Sequence, residues 1–354
     1  MENKKISFKN IPIYIGIDVH LWCWKVCILT EEFEHKVFNS PTSAKSLSNY
    51  LRKNFPEGDY YSVYEAGYSG YWIHEELEQY GIENIIVNPA DIPTKDKEKR
   101  VKTDSIDCRK LARCLMNGEL DPIRIRTKEQ QQDRALVRMR HKMIKKQTIC
   151  KNQIKSLLAF YGIYIDESKV QAYWSRKYIE SVENYTRNKG SATKAFNSLL
   201  RELKDLRSNI LEITKEIRIL SRTERYEQNV RLLESIPGIS MLSAITILTE
   251  IGDIRNFGTL DKLTGYIGLV PGEHSSGERE NKSRMLRRGN KILKCIIVES
   301  SWIAVRKDPS LMLVYKNLIQ RQKKTRAIIK IAKKLINRIR YVLMNGNEYK
   351  LLVA

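Results

Sequence analysis

The sequence predicts a mixed α/β sheet domain followed by two mainly helical regions. Three short apolar segments open the chain, and helix and strand patterns alternate after them as far as residue 116. From Thr127 onward the chain changes to long, charged helical stretches. These observations predict a sheet domain over residues 1–126, a coiled-coil region suited to oligomerisation over 127–226, and a mainly α-helical domain over 227–354.

The sheet domain is predicted element by element from alternation and turn residues. Ile13, Ile15 and Ile17 alternate on one face, so residues 13–30 are read as two strands, and a third strand around 35–38 completes a meander. The elements expected next are helix 43–53, strand 60–64, helix 70–80, strand 84–87, a mobile charged loop over 91–101, and helix 104–116 with Thr103 as its N-cap.

Two stretches of the middle region carry heptad spacing. One apolar seam repeats at four- and three-residue steps through Leu199, Leu203, Leu206, Ile210, Ile213, Ile217 and Leu220. An earlier helix, about 128–160, repeats at seven-residue steps through Leu136, Met143, Cys150 and Leu157. The two helices are expected to pair, either as an antiparallel hairpin or between subunits, with an irregular tip over 161–191.

The C-terminal region combines a tight turn between helices with a basic tail. Residues 235–239 (SIPGI) precede an apolar helix over 243–251 and resemble a helix-hairpin-helix, whose turn amides receive a phosphate. The tail, 321–340, has nine basic residues and no acidic ones. An apolar stripe is expected to dock this helix and leave its basic face outward, at Ile328, Ile331, Leu335 and Ile339.

Composition indicates a folded protein that binds a polyanion. Hydrophobic residues make up 42% of the chain, which argues against disorder. Lys and Arg number 63 against 41 Asp and Glu, a formal net charge of +22. Nucleic acid is the commonest partner of so basic a chain, although a solvated charged face is the alternative.

The cysteines and the first residues bear on the cellular compartment. None of the six cysteines forms a Cys-x-x-Cys pair, so buried free thiols in a reducing cytosol are expected, not zinc or disulfides. The first residues lack a signal-peptide core, and no apolar run reaches the length of a membrane span. The expectation is a soluble, cytoplasmic protein with no membrane partner.

Four acidic residues are expected to converge on one site. Asp18 and Glu65 each close a predicted strand, while Asp104 and Asp107 stand three apart at the start of a predicted helix. Converging carboxylates repel one another unless divalent cations neutralise them. The pattern therefore predicts a site for one or two Mg²⁺ ions that supports phosphoryl transfer. Taken singly, each residue is better explained as an ordinary strand-end or helix-start charge, and only the combination favours a site.

A second polar cluster, Ser275-Ser276-Gly277, lies far downstream. A free hydroxyl is a weak nucleophile without a base or a metal, and only His274 and Glu273 stand nearby as bases. On the residues alone, an ordinary flexible loop is the favoured interpretation.

Basic residues near both clusters and in the tail are expected to contact nucleic acid. Lys102 and Arg109, next to the acidic pair of the helix, would contact phosphate or balance the carboxylates. The full set is Lys102, Arg109, Gly238, Arg279, Arg287, Arg288, Lys323, Lys324, Arg326 and Lys330.

Two sets of short motifs run through the chain in order. The first set is Ile15-Gly16-Ile17-Asp18-Val19, Glu65-Ala66-Gly67-Tyr68, Val87-Asn88-Pro89 and Lys102-Thr103-Asp104-Ser105-Ile106-Asp107. The second set is Ser235-Ile236-Pro237-Gly238-Ile239, Glu250-Ile251-Gly252-Asp253-Ile254, Gly268-Leu269-Val270-Pro271, Ser275-Ser276-Gly277 and Arg288-Gly289-Asn290. Together they resemble the "IS one-ten" insertion-sequence transposases, relatives of the Piv DNA invertase.

The resemblance implies a fold and a set of site residues. It implies an RNase H-like (RuvC-like) N-terminal domain whose metal-binding acidic tetrad is Asp18, Glu65, Asp104 and Asp107. It also implies a C-terminal domain with a nucleophilic serine, which maps to Ser276, the serine immediately before Gly277. Ser275 remains the alternative.

The resemblance also implies a function and partners. The implied activity is that of a DNA recombinase, guided by a structured noncoding (bridge) RNA that pairs with donor and target DNA. The implied assembly is a homo-oligomer, a dimer that becomes a tetramer in the active complex, in which a neighbour's serine completes the acidic site. A bacterial, nucleoid-associated protein is expected.

Two other functions stay open. The first is a metal-dependent junction or structure-specific endonuclease, in which water is the nucleophile and Ser276 only binds phosphate. The second is a nucleic-acid-binding protein without catalytic activity, which the acidic and serine clusters disfavour.

Overall fold

The protein is described from a computed structural model, which covers residues 7–93, 103–165, 172–276, 279–285 and 288–351. For 271–276 and 279–285 it describes the backbone alone. The chain divides into two compact units, Met1–Ile125 and Arg126–Ala354. The further division predicted after residue 226 stays a prediction.

The first unit is built on a mixed sheet. Its elements are β1 Pro12–Val19, β2 Trp24–Leu29, β3 Glu34–Ser40, α1 Ala44–Asn54, β4 Asp59–Glu65, α2 Trp72–Gln79, β5 Glu83–Val87 and α3 Asp104–Met116. The five strands lie in the order β3-β2-β1-β4-β5. β1, β2 and β3 are antiparallel neighbours, whereas β1, β4 and β5 are parallel. The predicted meander and mixed α/β domain are confirmed, while its RNase H-like class stays a prediction.

Alternation along β1 separates the two faces of this sheet. Ile13, Ile15 and Ile17 are fully buried, in one cluster with residues of α1 and α2. On the other face, Val63 of β4 packs with Leu111 and Cys114 of α3. The apolar alternation in the sequence therefore buries α1 and α2 on one side and α3 on the other.

Three details differ from the sequence-based expectation or lie outside the described residues. Thr103 occupies the N-cap position of α3, but its side chain makes no capping hydrogen bond. Most of the loop predicted to be mobile, residues 94–101, lies outside the described residues; Pro89–Asp91 before it forms a 3-10 turn. Four cysteines are buried, as expected, but the prediction is wrong for Cys295, which is exposed.

The second unit is helical apart from one hairpin. Its elements are α4 Lys128–Phe160, α5 Arg176–Thr186, α6 Ser191–Leu220, α7 Glu227–Glu234, α8 Met241–Ile251, α9 Leu260–Ile267, β6 Pro271–Ser276, β7 Arg279–Met285, α10 Lys291–Lys307, α11 Pro309–Ile319 and α12 Lys324–Asn345. Among the described residues, no helix is long and apolar enough to cross a membrane.

The two heptad helices pair within one chain as an antiparallel hairpin. The Cys150 thiol of α4 donates to the Leu199 carbonyl of α6 at 3.3 Å, and Arg140 Nε donates to Thr214 Oγ1 at 2.8 Å. As the position along α4 falls from 150 to 140, the partner along α6 rises from 199 to 214, which is the antiparallel arrangement. Between the two alternatives left open by the sequence, the structure shows the intramolecular one.

Helix α5 lies inside the segment predicted to be irregular. Tyr178, Ile179 and Val182 are buried on one of its faces, and Ser175 caps it by accepting a hydrogen bond from the Tyr178 amide. The interpretation of residues 161–191 as an irregular tip is therefore wrong over this helix. Only three apolar positions mark it, too few to stand out in a polar segment.

The basic tail docks as its apolar stripe predicts. Ile328, Ile331, Leu335 and Ile339 of α12 are at most 3% exposed and belong to the largest core cluster of the second unit. The adjacent Asp308, which is buried, forms an ion pair with Arg338 of α12 and accepts a hydrogen bond from the Tyr349 hydroxyl. Helix α12 is thus held by apolar contacts and by one buried ion pair.

Gly238 is a glycine because of packing. Its φ is +94°, and a Cβ there would collide with the carbonyl oxygen of Ser300 in α10. Close approach of the turn to α10 accounts for the residue without any ligand. Contact of this turn with a phosphate stays a prediction.

A candidate metal centre and a serine hairpin

The carboxylates of the first unit are positioned by a direct approach of helix α3 to strand β1. Gly16 lies in the middle of β1, and a Cβ there would collide with the carbonyl oxygen of Cys108 in α3. Only glycine lets the two backbones come this close. Asp18 is two residues further along β1, on the same face as Gly16, and therefore faces the first turn of α3.

Asp18, His20 and Asp104 form the candidate metal centre. The His20 Nε2 lies 3.1 Å from an Asp18 carboxylate oxygen and 3.4 Å from an Asp104 carboxylate oxygen. One donor atom from each of the three side chains lies within 4.8 Å of the other two, which is close enough for one ion to contact all three. Asp18 is partly buried, whereas His20 and Asp104 are exposed. The centre is therefore open to solvent on one side.

The pKa of Asp18 shows the electrostatic cost of this arrangement. Partial burial raises the pKa of Asp18 above its usual value, and the charges of Asp104 and Asp107 raise it further, while His20 opposes the increase. A cation bound there would offset both the burial and the repulsion. The raised pKa of Asp18 therefore fits a metal site, since a cation would favour the ionised form of this carboxyl group.

Asp107 and Glu65, the other two acids of the predicted tetrad, are not part of this three-residue cluster. Asp107 follows Asp104 by one turn of α3, close enough for its charge to act on Asp18. Glu65 ends β4, and the pairing of Ile17 with Tyr64 makes Glu65 the register neighbour of Asp18. The backbone therefore brings all four predicted acids to one end of the sheet, while the candidate ligand set has Asp18 and Asp104 from among them.

His20 is a site residue that sequence reasoning missed. It stands two positions after Asp18, directly after β1 ends at Val19, and its ring lies against the Asp18 carboxylate. The spacing Asp-x-His at a strand end was the available signal.

The donor set suits a hard divalent cation. Carboxylate oxygens are the ligands that Mg²⁺ and Mn²⁺ prefer, and an imidazole nitrogen favours the transition metal of the two. Beneath the centre, burial raises the pKa of the Cys27 thiol to about 12 and that of Cys108 to about 11. Both thiols stay protonated near neutral pH, so neither is a thiolate nucleophile for a phosphodiester.

Arg109 and Lys102 are the nucleic-acid contacts predicted near the acidic residues of α3. Arg109 of α3 donates through Nε to Glu34 at 2.6 Å, and both side chains are exposed. The structure thus gives Arg109 an acidic partner, and its contact with phosphate stays a prediction. Lys102 lies outside the described residues.

The predicted nucleophile lies in the β6–β7 hairpin. Ser276 is the last residue of β6, and its Cα partner across the hairpin is Arg279. The Ser275 partner is Glu280. Because the structure describes only the backbone there, the choice between the two serines stays a prediction. Of the other expected contacts in this region, Arg288 is exposed and Arg287 lies outside the described residues.

The base of this hairpin is a close contact between two glycines. Gly268 precedes β6 and Gly289 follows β7, with φ values of +83° and +120°. A Cβ on Gly289 would lie 2.5 Å from the Gly268 Cα. The two chain segments that enter and leave the hairpin therefore touch through their backbones, as only glycine allows.

The exposed face of α12 carries most of the tail's predicted contacts. Lys324, Arg326 and Lys330 of the helix and Lys323 immediately before it are all exposed. Lys334, one turn beyond Lys330, is exposed as well. Since the opposite face is buried, the positive charges point to solvent together.

Two family models match the chain. The model described as "Transposase", a DEDD-type domain of the IS110 group, matches residues 15–163. The model described as "Transposase IS116/IS110/IS902 family" matches residues 230–316. The first match contains the four acidic residues, and the second contains the β6–β7 hairpin.

Known proteins match over longer stretches. The transposase for insertion sequence element IS1111A of Coxiella burnetii is 28% identical over 261 residues, or 72% of this chain and 69% of that protein. The y4rJ protein of Sinorhizobium fredii is 25% identical and covers 92% of this chain and 90% of its own length. The y4qE protein of the same organism is 28% identical, and the chain spans 58% of its length. The chain belongs to the IS116/IS110/IS902 ("IS one-ten") family of insertion-sequence transposases.

Proposed function

We propose that the protein is a DNA recombinase of an insertion sequence, in which a metal at the acidic centre assists attack by Ser276 on a DNA phosphodiester. The observation that carries this proposal is the convergence of Asp18 and Asp104, with His20, at the end of β1. Family membership supplies the substrate class, since transposases act on DNA.

The chain's own residues divide the chemical work. Asp18 and Asp104, together with His20, would hold the cation. The charge of Asp107 acts on Asp18, and Glu65 is the register neighbour of Asp18 on β4. When bound, Mg²⁺ stabilises the charge that develops on the phosphoryl group. Ser276 Oγ forms the new bond to phosphorus and gives up its proton, and the bond to one deoxyribose oxygen breaks. That oxygen takes a proton and leaves as a free hydroxyl, so the phosphodiester is kept as a phosphoserine.

Strand exchange is the reverse of this step with a new partner. A hydroxyl at another DNA end attacks the phosphoserine, and Ser276 leaves with a proton. Because one phosphodiester replaces another, the joining step needs no outside source of energy. Arg279, the cross-strand partner of Ser276, would supply positive charge next to the reacting phosphate.

The surface around the acidic centre fits a nucleic acid. Leu21 and Trp22 form the tip of the β1–β2 turn immediately after His20, and Trp22 is 88% exposed. The Tyr68 ring is also exposed, and its hydroxyl donates to the Val19 carbonyl at 3.1 Å. Exposed aromatic rings stack on unpaired bases, which supports DNA as the ligand of this site.

Removing the basic face of α12 is expected to weaken DNA binding at low salt. The variant Lys323→Ala, Lys324→Ala, Arg326→Ala and Lys330→Ala removes four exposed charges and leaves the apolar stripe intact. The slope of log K against log salt concentration should fall in magnitude by about 3 to 4, close to one for each phosphate that the variant no longer neutralises. Fluorescence anisotropy with a labelled duplex across a salt series measures it.

The matched control removes four exposed charges elsewhere in the same unit. Its changes are Lys177→Ala, Arg187→Ala, Lys189→Ala and Lys194→Ala, with the same change in net charge. If the control reduces the slope as much as the α12 variant does, the effect belongs to net charge and not to this face.

Guidance by a structured noncoding RNA and assembly into a tetramer are part of the proposal. The formal net charge of +22 gives the chain the capacity to hold RNA together with DNA. The α4–α6 hairpin leaves Ile149, Leu211 and Ile219 more than half exposed, which supplies apolar surface for a second subunit.

RNA guidance is tested on the protein purified with the RNA that it retains. Digestion of that RNA is expected to abolish joining of DNA that carries the sequences flanking the gene, and adding the transcript back should restore joining. Joining that persists after complete RNA digestion contradicts guidance by RNA. A DNA-only recombinase would then remain.

A second candidate function is a metal-dependent, structure-specific endonuclease. Asp18, His20 and Asp104 all lie in the first unit, so the candidate metal centre is complete without a serine. Water would then be the nucleophile, and hydrolysed ends without a protein–DNA bond would be the product.

A further inference from the structure

Three family motifs in which Glu250, Gly268, Gly289 and Asn290 have no proposed role in catalysis or nucleic-acid binding meet at one place in the second unit. They occupy residues 250–254, 268–271 and 288–290. Glu250 belongs to α8, Gly268 and Gly289 form the base of the β6–β7 hairpin, and Asn290 caps α10. The side chain at their centre is Glu250, which is fully buried.

The Glu250 carboxylate is bound from two sides. Arg138 of α4 donates through Nε to Oε1 at 2.5 Å and through Nη2 to Oε2 at 3.0 Å. Arg134, one turn earlier in α4, donates through Nε to Oε2 at 3.0 Å. From the hairpin side, Asn290 Nδ2 donates to Oε2 at 2.7 Å. These four residues are called the Glu250 cluster below.

The Glu250 cluster keeps its charge although it is buried. Burial by itself would raise the pKa of Glu250, but hydrogen bonds from Arg138 and Asn290 and the charges of the two arginines hold the pKa below its usual value. Glu250 therefore stays ionised, and its bonds to α4 are charge-assisted and directional.

Asn290 transmits this anchor to the hairpin. Its side-chain oxygen accepts hydrogen bonds from the Ile292 and Leu293 backbone N–H groups and so caps α10. Its own backbone N–H donates to the Tyr266 carbonyl at 2.9 Å. Asn290 follows Gly289 directly in the chain, and Gly289 touches Gly268 on the other side of the hairpin base. A chain of contacts thus runs from α4 through Glu250 and Asn290 to the hairpin base.

Stability alone is a weak reason for this cluster. A buried ion pair often contributes no more to folding than apolar side chains of similar volume would, because desolvation offsets the attraction. The same second unit already has a large apolar core that joins α4, α8 and α10. What the cluster adds is a fixed direction and distance between α4 and Asn290.

We infer that Glu250 and Asn290 are positioning residues that fix the β6–β7 hairpin, and with it Ser276, to helix α4. This inference rests on the proposed role of Ser276. Helix α4 is half of the coiled-coil hairpin, so the position of the nucleophile would follow the arrangement of the coiled coil. Neither Glu250 nor Asn290 touches the substrate in this role.

The most selective test is Asn290→Ser. Serine still caps α10, but it is too short to reach Glu250, so the variant cuts the link and keeps the helix cap. Amide exchange over residues 272–276 and 279–285 should become about tenfold faster or more, because the hairpin loses its anchor. The rate of protein–DNA adduct formation should fall by about 100-fold, the cost of a small misplacement, with DNA affinity unchanged.

A second variant removes the ionic cluster but keeps its volume. Glu250→Leu, Arg134→Met and Arg138→Met together replace it by apolar side chains, and the protein should keep its melting temperature while showing the same faster hairpin exchange and slower adduct formation. The matched control is Asp308→Ser, which keeps the cap of α11 and cuts the buried link to Arg338. Hairpin exchange should be unchanged in that control.

The outcomes separate positioning from stability and from the proposed chemistry. The inference is overturned if Asn290→Ser shows the same amide exchange in the hairpin and the same rate of adduct formation as the unaltered protein. It is also overturned if the loss of adduct formation in Asn290→Ser is no larger than the fraction of that variant that is unfolded. If the unaltered protein forms no adduct, the proposed chemistry fails, but faster hairpin exchange in both variants would still support the positioning role.

Discussion

Replacing Ser276 by alanine is expected to abolish the covalent protein–DNA adduct and, with it, strand joining. The hydroxyl oxygen is the atom that receives the phosphoryl group, and alanine has no atom that could replace it. DNA binding should be unchanged, since one neutral hydroxyl adds little to binding by so basic a protein. The measurement is a denaturing gel of radiolabelled DNA incubated with the full chain, its retained RNA and Mg²⁺.

The neighbouring serine is the matched control for this experiment. Ser275→Ala changes the same functional group one residue away, and it should retain the adduct. If Ser275→Ala loses the adduct and Ser276→Ala keeps it, the nucleophile has been assigned to the wrong serine. Hydrolysed ends in equal yield from the unaltered protein and from Ser276→Ala would identify the metal-dependent endonuclease instead.

Replacing Asp104 by asparagine is expected to lower DNA cleavage by about 1000-fold. The cation contributes several kcal/mol of transition-state stabilisation, and about 4 kcal/mol corresponds to that factor in rate. The variant should also lose stabilisation by Mg²⁺ or Mn²⁺, which for the intact site is about 2.7 kcal/mol at a concentration 100 times the dissociation constant. Single-turnover cleavage and thermal unfolding with and without metal measure the two effects.

The metal-free protein provides the control for misfolding. Removing the Asp104 charge relieves part of the repulsion that raises the pKa of Asp18, so the metal-free variant should melt no lower than the unaltered protein. Asp121→Asn changes an exposed acid elsewhere in the same unit and should alter neither cleavage nor the metal-induced shift. Unchanged metal dependence in Asp104→Asn would refute the assignment of the centre.

Much of the first unit could be predicted because local pattern and tertiary position agree there. Alternating isoleucines in β1 report one buried face, and acids at strand ends converge because neighbouring parallel strands end together. His20 was missed because its ligand partners are carboxylates, one two residues away and one eighty-four positions later in the chain. The spacing of histidines and cysteines alone does not reveal such a set.

The second unit shows where local pattern stops being sufficient. Heptad spacing in α4 and α6 is the same whether the helices pair within a chain or between chains. The sequence therefore does not distinguish an intramolecular hairpin from pairing between subunits. In the sequence Glu250 looks like a surface acid in an apolar helix. Its burial is explained by partners from α4 and α10, which lie 112 residues before it and 40 residues after it. The choice between Ser275 and Ser276 depends on side-chain position, which neither the sequence pattern nor the described backbone provides.

The contact of Gly16 with α3 has a consequence for how genetic data on this chain should be read. A residue without a functional group sets the distance between two elements that carry the carboxylates, since any side chain there would push α3 and Asp104 away from Asp18. Saturation mutagenesis would therefore score position 16 as intolerant as the acids themselves. A ranking by loss of activity would place this glycine among catalytic residues, although its contribution is the absence of an atom.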